Sequence, residues 1–176
     1  MINMGEKKKE GMESYDRTTI RSFPKLAAAI LLCVIVGSIG SLVTITGPGS
    51  WYTTLQKPFF APPNWVFAPV WITLFVLMGI ALYLVWESGT QHRDVRVALG
   101  MFGVQFVLNV LWSFFFFGLR SPLLGLVDIL LLWMMIAVTI IVFYRVNKRA
   151  AYLLIPYIAW VSLATALNGA IYFMNR

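Results

Sequence analysis

The chain has 176 residues, 60% of them hydrophobic and only 12% charged, with a formal charge of +7. A soluble domain carries about twice that charged fraction, so a water-soluble enzyme and a disordered chain are both excluded. The excess of Lys and Arg lies at the edges of apolar blocks, which is the pattern of membrane topology rather than of a nucleic-acid binder.

Residues 1–22 mix Lys, Glu, Asp and Arg. They predict a disordered, charged, cytoplasmic tail. The following apolar stretch is too long for a signal peptide, and no clear small-residue cleavage site follows it. Five apolar blocks then occupy 23–176, at about 26–46, 66–86, 97–117, 123–144 and 150–174. Each reaches the roughly 20 residues that a membrane crossing needs. They are apolar nearly all round, as lipid-facing helices are. Barrel strands would alternate polar and apolar residues, whereas Ile129 to Ile136 is one continuous apolar run. The predicted fold is an all-α integral membrane protein, a five-transmembrane-helix bundle.

The first block carries Ala29, Cys33, Gly37 and Ser41, each four apart, a ridge of small residues that permits close helix contact. The loop at 47–64 follows. Five of the eight prolines fall between Pro48 and Pro69, so this loop is stiff. It also holds Trp51, Tyr52, Phe59, Phe60 and Trp65. Two readings stand: an aromatic belt at the membrane surface, or a lid over a pocket. As a lid, its residues of interest are Trp51, Tyr52, Lys57, Pro62 and Trp65.

The second block places Trp71 and Phe75 four apart, on one face. In the third, Gln105, Asn109 and Trp112 share a face. The fourth contains Asp128, an intramembrane carboxylate and therefore a functional candidate, with a structural hydrogen-bonding role as the alternative. In the fifth, Trp160, Ala164, Leu167 and Ile171 form a stripe beside Asn168. For the asparagines, interhelical hydrogen bonding is the plainer role. Faces carrying Trp and Asn could enclose a flat apolar ligand, or could be ordinary Trp packing. The C-terminus, from Leu167 through Tyr172 to Arg176, fits a loose cholesterol-contact pattern.

Orientation follows from the basic residues. Eleven of the fourteen Lys and Arg fall in the N-terminal tail and in the second and fourth connections. The positive-inside rule then predicts a cytoplasmic N-terminus and an outer C-terminus in a plasma membrane. The lone cysteine, Cys33, and the lone histidine, His92, exclude a disulfide and a metal cluster, so no metal site and no required cofactor is expected.

Several segments together resemble the translocator protein family, also called the tryptophan-rich sensory protein or peripheral-type benzodiazepine receptor family. They are Trp51-Tyr52-Thr53-Thr54-Leu55-Gln56-Lys57-Pro58-Phe59-Phe60-Ala61-Pro62-Pro63, Phe67-Ala68-Pro69-Val70-Trp71, Asn109-Val110-Leu111-Trp112-Ser113, Asp128, Pro156-Tyr157-Ile158-Ala159-Trp160 and Leu167-Asn168. The resemblance covers about 25–175. It implies a five-helix bundle, commonly a homodimer in the bilayer, with a pocket closed by the first loop. It implies porphyrin or another tetrapyrrole as ligand, or a sterol, and no nucleic acid. By motif, the pocket residues it implies are Trp71, Phe75, Asn109, Trp112, Asp128, Ile129, Trp160, Ala164 and Leu167.

Three functions are compatible with these residues. The first is ligand binding for sensing, scavenging or transport. His92 lies in the second loop, away from the lid, which leaves Cys33 and the methionines as the possible iron ligands, none of them placed at the pocket by the sequence; metal-free porphyrin is expected to bind about as well as haem. Lys57 and Arg120, on the lid side, are candidates for attracting carboxylates. The second function is light-dependent porphyrin breakdown. The resemblance offers Trp71 and Trp160 as catalytic candidates, since the chain shows no conventional acid–base pair. The third is a regulatory partner with no small ligand, which would have no need of a stiff lid.

Overall fold

The computed structural model describes residues 22–176. The predicted tail at 1–22 lies outside the described residues, apart from Ser22. Among the described residues the regular structure is entirely helical. We number the helices α1 (Phe23–Gly37), α2 (Trp51–Thr54), α3 (Asn64–Glu87), α4 (Arg93–Ser113), α5 (Pro122–Val146), α6 (Lys148–Leu153) and α7 (Ile155–Met174). A tight 3-10 turn, Ser38–Leu42, extends α1, and a wide π turn, Phe114–Gly118, extends α4. Five continuous helical stretches are long and apolar enough to cross a membrane: Phe23–Leu42, Asn64–Glu87, Arg93–Gly118, Pro122–Val146 and Lys148–Met174.

Local chemistry sets these ends. Pro24 and Pro122 stand in the first turns of α1 and α5, where a missing N–H removes no helical bond. Ser121 caps α5 by accepting a hydrogen bond from the Leu124 N–H at 3.2 Å. Asn147 caps α6, its side chain accepting from the Arg149 and Ala150 N–H groups. The first span stops at Leu42, whereas the sequence pattern carries it to about residue 46. The hydroxyls explain the difference: Ser41 Oγ donates to the Ser38 carbonyl at 2.6 Å, and Thr44 Oγ1 to the Gly40 carbonyl at 2.8 Å. Such back-bonding competes with a regular helix.

The spans form a ring. The first packs along the second, the third along the fourth, and the fourth along the fifth. The ring closes where α6 meets α3 and where the 3-10 turn of the first span meets α4. The first and second spans approach closely at Gly79. A Cβ on Gly79 would lie 2.5 Å from the Ile30 Cα, so backbone meets backbone there. Ala29, Cys33 and Gly37 from the small-residue ridge are buried in this contact region. The ring is filled at one end by Met78, Val85, Phe102, Leu132, Ile136 and Phe143, with Phe102 stacked on Phe143 at 5.9 Å. Lys25 and Glu87 pair at 2.9 Å across the first two spans at that same end. Large apolar side chains such as Leu31, Ile35, Val107, Leu131 and Ile141 point outward. This is the arrangement hydrocarbon favours, with apolar side chains toward the lipid and the backbone hydrogen-bonded along each helix.

Candidate functional site

At the other end the ring is not filled. It encloses a cavity of about 430 Å³ beneath the loop that joins the first two spans. That volume is within the range of small-molecule sites. One wall is aromatic: Phe67, Trp71 and Phe75 from α3, and Trp112, Phe116 and Phe117 from the third span. Another is polar, with Ser38, Ser41, Thr44 and Thr46 after α1, and Asn64. The fifth span adds Ala164, Leu167, Asn168 and Ile171.

Hydrogen bonds hold the floor. Asn109 Nδ2 donates to the Tyr157 hydroxyl at 3.1 Å, and that hydroxyl donates to Gln105 Oε1 at 3.0 Å. The Trp112 indole N–H donates to Asn168 Oδ1 at 3.1 Å, and Asn168 Nδ2 donates to the Pro122 carbonyl at 2.8 Å. Five side chains thus tie the third, fourth and fifth spans together, and three of them, Asn109, Trp112 and Asn168, face the cavity. The asparagines therefore take the interhelical role named for them and also line the site, whereas Gln105 lies outside the lining. Rings reinforce this frame: Trp71 stacks on Phe75 at 5.6 Å, and Trp112 on Phe116 at 5.3 Å.

The π turn shapes the upper wall. Its Leu119 N–H reaches the Phe114 carbonyl at 2.8 Å, five residues back. The wider turn brings the successive residues Phe116 and Phe117 both to the cavity.

The loop over the cavity begins with a turn at Gly49, whose φ of +80° favours glycine. It then forms α2. Tyr52 on α2 is buried and is the loop's contribution to the cavity lining. Its ring lies 5.5 Å from Phe117, and Trp51 meets Phe116 edge-on at 5.7 Å. The Lys57 ammonium sits 3.9 Å from the centre of the Tyr52 ring, within cation–π range. Burial pushes the Tyr52 phenol above its ordinary value, so it presents a neutral hydroxyl. A clasp fixes the loop's far side. Asn175 Oδ1 accepts from the Gln56 N–H at 2.9 Å, and Asn175 Nδ2 donates to the Gln56 carbonyl at 3.0 Å.

Of the residues singled out from sequence, the structure brings Trp71, Phe75, Asn109, Trp112, Ala164, Leu167 and Tyr52 to the cavity. Others lie elsewhere. Asp128 and Ile129 are buried in α5, which supplies no residue to the cavity because it packs behind the third and fifth spans. Asp128 Oδ2 has no hydrogen-bond partner among the described residues. Trp160 is separated from the cavity by Phe67, whose ring it meets edge-on at 5.7 Å. It lines an outer groove instead. Trp51 packs in the loop's aromatic cluster, Lys57 lies on Tyr52, and Pro62 is half-buried in the loop. Trp65 is 75% exposed at the start of α3, as a belt residue would be. Cys33 and His92 are outside the lining, the former buried in the core and the latter exposed at the opposite end.

Sequence reasoning missed Phe67, the hydroxyl wall and the pair Phe116 and Phe117. Two signals were present: hydroxyls at Ser38, Ser41 and Thr44 recur every third residue, and four phenylalanines precede Gly118. Among the lining residues Tyr52 is the one side chain that titrates. The site thus offers stacking faces, neutral hydroxyls and amides, which suit binding better than acid–base chemistry. No group of three or more His, Cys, Asp or Glu stands together among the described residues.

Five apolar spans around a roofed internal cavity define a multi-pass integral membrane protein with an intrabundle pocket. The chain belongs to the TspO/MBR family, whose profile matches residues 29–174. It is 50% identical over 151 residues to the tryptophan-rich protein TspO of Chlorobaculum tepidum, covering 85% of this chain and 95% of that one. The similarity to the tryptophan-rich protein TspO of Archaeoglobus fulgidus is 47% over 151 residues, covering 86% and 97%. A human relative, the translocator protein, is 44% identical over 127 residues, covering 72% and 75%.

Proposed function

We propose that the protein binds a tetrapyrrole in the cavity beneath the loop, with the loop as its lid, and serves in sensing, scavenging or transport. The observation that carries this reading is a cavity lined by the rings of Trp71, Phe75, Trp112 and Phe116 together with the hydroxyls of Ser38, Ser41 and Thr44. A flat macrocycle stacks on the first and keeps its polar edge toward the second. Carboxylates fit best near Lys57, at the Tyr52 side of the cavity. Membership of the TspO/MBR family supports the reading. The N-terminus is assigned to the cytoplasm and the lid to the opposite surface, from the excess of Lys and Arg at the end away from the lid.

The test is a tryptophan-quenching titration of the purified, detergent-solubilised protein with protoporphyrin in the dark. Saturable one-site quenching is expected. Trp71→Phe should weaken affinity by roughly twofold to tenfold, the scale of one aromatic stacking contact. Since the lining residues include no His, Cys or Met, haem should bind within about threefold of metal-free porphyrin, without the spectrum of axial protein ligation. Quenching that never saturates would remove the tetrapyrrole reading. A much tighter, axially ligated haem complex would remove this account of the cavity.

A further inference from the structure

A second void lies outside the bundle. It is a groove of about 530 Å³ between the second and fifth spans, lined by Val70, Thr73 and Leu77 on α3 and by Pro156, Ala159 and Leu163 on α7. The groove exists because these spans are held apart. Helix α3 packs well on α6, at the end away from the lid, but only sparsely on α7.

The groove and the inner cavity come within one aromatic pair of each other. Phe67 lines the cavity and Trp160 lines the groove. Their rings meet edge-on, with centres 5.7 Å apart and planes at 71°. Neither ring is strongly tethered. The Trp160 indole N–H is buried and has no hydrogen-bond partner among the described residues. Phe67 sits on the first turns of α3, just before Pro69. Proline has no N–H, so the Trp65 carbonyl loses its intrahelical partner and this turn is one hydrogen bond short. The lid contrasts with this. It is clasped to Asn175 by two hydrogen bonds, and Tyr52 is pinned between Phe117 and Lys57.

We infer that apolar ligands enter the cavity sideways from the bilayer, through the groove between the second and fifth spans, and that the Phe67–Trp160 pair is the gate. This rests on the tetrapyrrole reading for the identity of the ligand. An apolar macrocycle dissolved in hydrocarbon arrives at the groove without crossing water. Displacing Phe67 from Trp160 joins the two voids while the lid stays clasped. The gate then sets the rates of entry and exit and leaves the bound state unchanged.

The experiment is stopped-flow protoporphyrin binding and release in the dark, with the full chain in liposomes. Ala159→Phe and Thr73→Phe fill the groove from its two sides, alone and together. Both positions are exposed and outside the cavity lining. The expected result is that association and dissociation slow together, by about tenfold in the double variant, with affinity unchanged. Retained affinity reports that each variant is folded. Asn175→Ala, which unclasps the lid, should leave both rates as they are. Wild-type rates in the groove-filled variants, or faster rates in Asn175→Ala, would overturn the side entry in favour of the lid. If protoporphyrin does not bind the unaltered protein at all, the functional reading falls and the groove is tested separately. Lipids with brominated acyl chains then serve as the probe. Weaker tryptophan quenching in the double variant would support a groove open to hydrocarbon, and equal quenching would overturn it.

Discussion

A methyl group on Gly79 has nowhere to go. The added carbon would lie 2.5 Å from the Ile30 Cα and 3.0 Å from both the Ala29 carbonyl oxygen and the Ile30 nitrogen. These are backbone atoms, so relief requires moving a whole span rather than turning a side chain. Gly79→Ala is expected to destabilise the folded bundle by about 1–3 kcal/mol, the usual cost of overpacking. Gly100 is the control. Nothing lies within 4 Å of its added carbon, so Gly100→Ala should be neutral or stabilising by up to about 1 kcal/mol through helix propensity. Thermal or denaturant unfolding in one detergent checks the pair, and equal midpoints for the two variants would refute the close-contact argument. Half of this contact was legible in the sequence. The four-residue spacing of Ala29, Cys33 and Gly37 marks a ridge on the first helix, but a lone glycine in the second helix does not announce which ridge it meets. Ser41, the last member of the ridge, leaves the contact and turns to the cavity.

At the scale of elements, the lid is more closely held than its exposure implies. Its stiffness was legible, because prolines restrict the backbone wherever they stand. Its clasp was not, since Gln56 and Asn175 are 119 residues apart. The clasp makes a local prediction. Asn175→Ala removes the acceptor of the Gln56 N–H and should speed hydrogen exchange at that amide, with its neighbours in the lid following to a lesser degree. The unfolding midpoint should hardly move, because both partners are exposed and the bonds are replaced by water. Unchanged exchange at Gln56 would mean that the aromatic contacts of Trp51 and Tyr52 alone hold the lid. The two irregular turns were equally hidden. A hydropathy pattern registers how long an apolar run is, not whether its last turn narrows at Ser38–Leu42 or widens at Phe114–Gly118. Those two turns are what direct Ser38, Ser41, Phe116 and Phe117 into the cavity, so the length of an apolar run did not reveal the site's upper wall, and only the three-residue spacing of the hydroxyls and the run of phenylalanines hinted at it.

At the scale of the whole molecule, the same split recurs. Five spans were readable because each satisfies its length and apolarity alone, whereas the ring order depends on which faces meet. That order decides why the fourth span, with its conspicuous Asp128, contributes nothing to the cavity lining while the first contributes a hydroxyl wall. Charge adds a further whole-molecule property. Lys25, Arg93, Arg96, Arg145, Lys148 and Arg149 belong to the end away from the lid, where the N-terminal tail also attaches, and Lys57, Arg120 and Arg176 to the lid end. Basic residues near span ends resist translocation, so the lid end is the one expected to cross. Single cysteines test this. Thr90→Cys stands in the connection between α3 and α4, and Thr53→Cys on α2, both at exposed positions. The native Cys33 is fully buried and supplies a silent background. In intact cells, a membrane-impermeant maleimide should label Thr53→Cys at once and Thr90→Cys only after permeabilisation. The reverse pattern would place the lid in the cytoplasm. A ligand held near Lys57 would then face the cell interior, and the six basic residues at the other end would have crossed the membrane against the bias that orients multi-pass proteins.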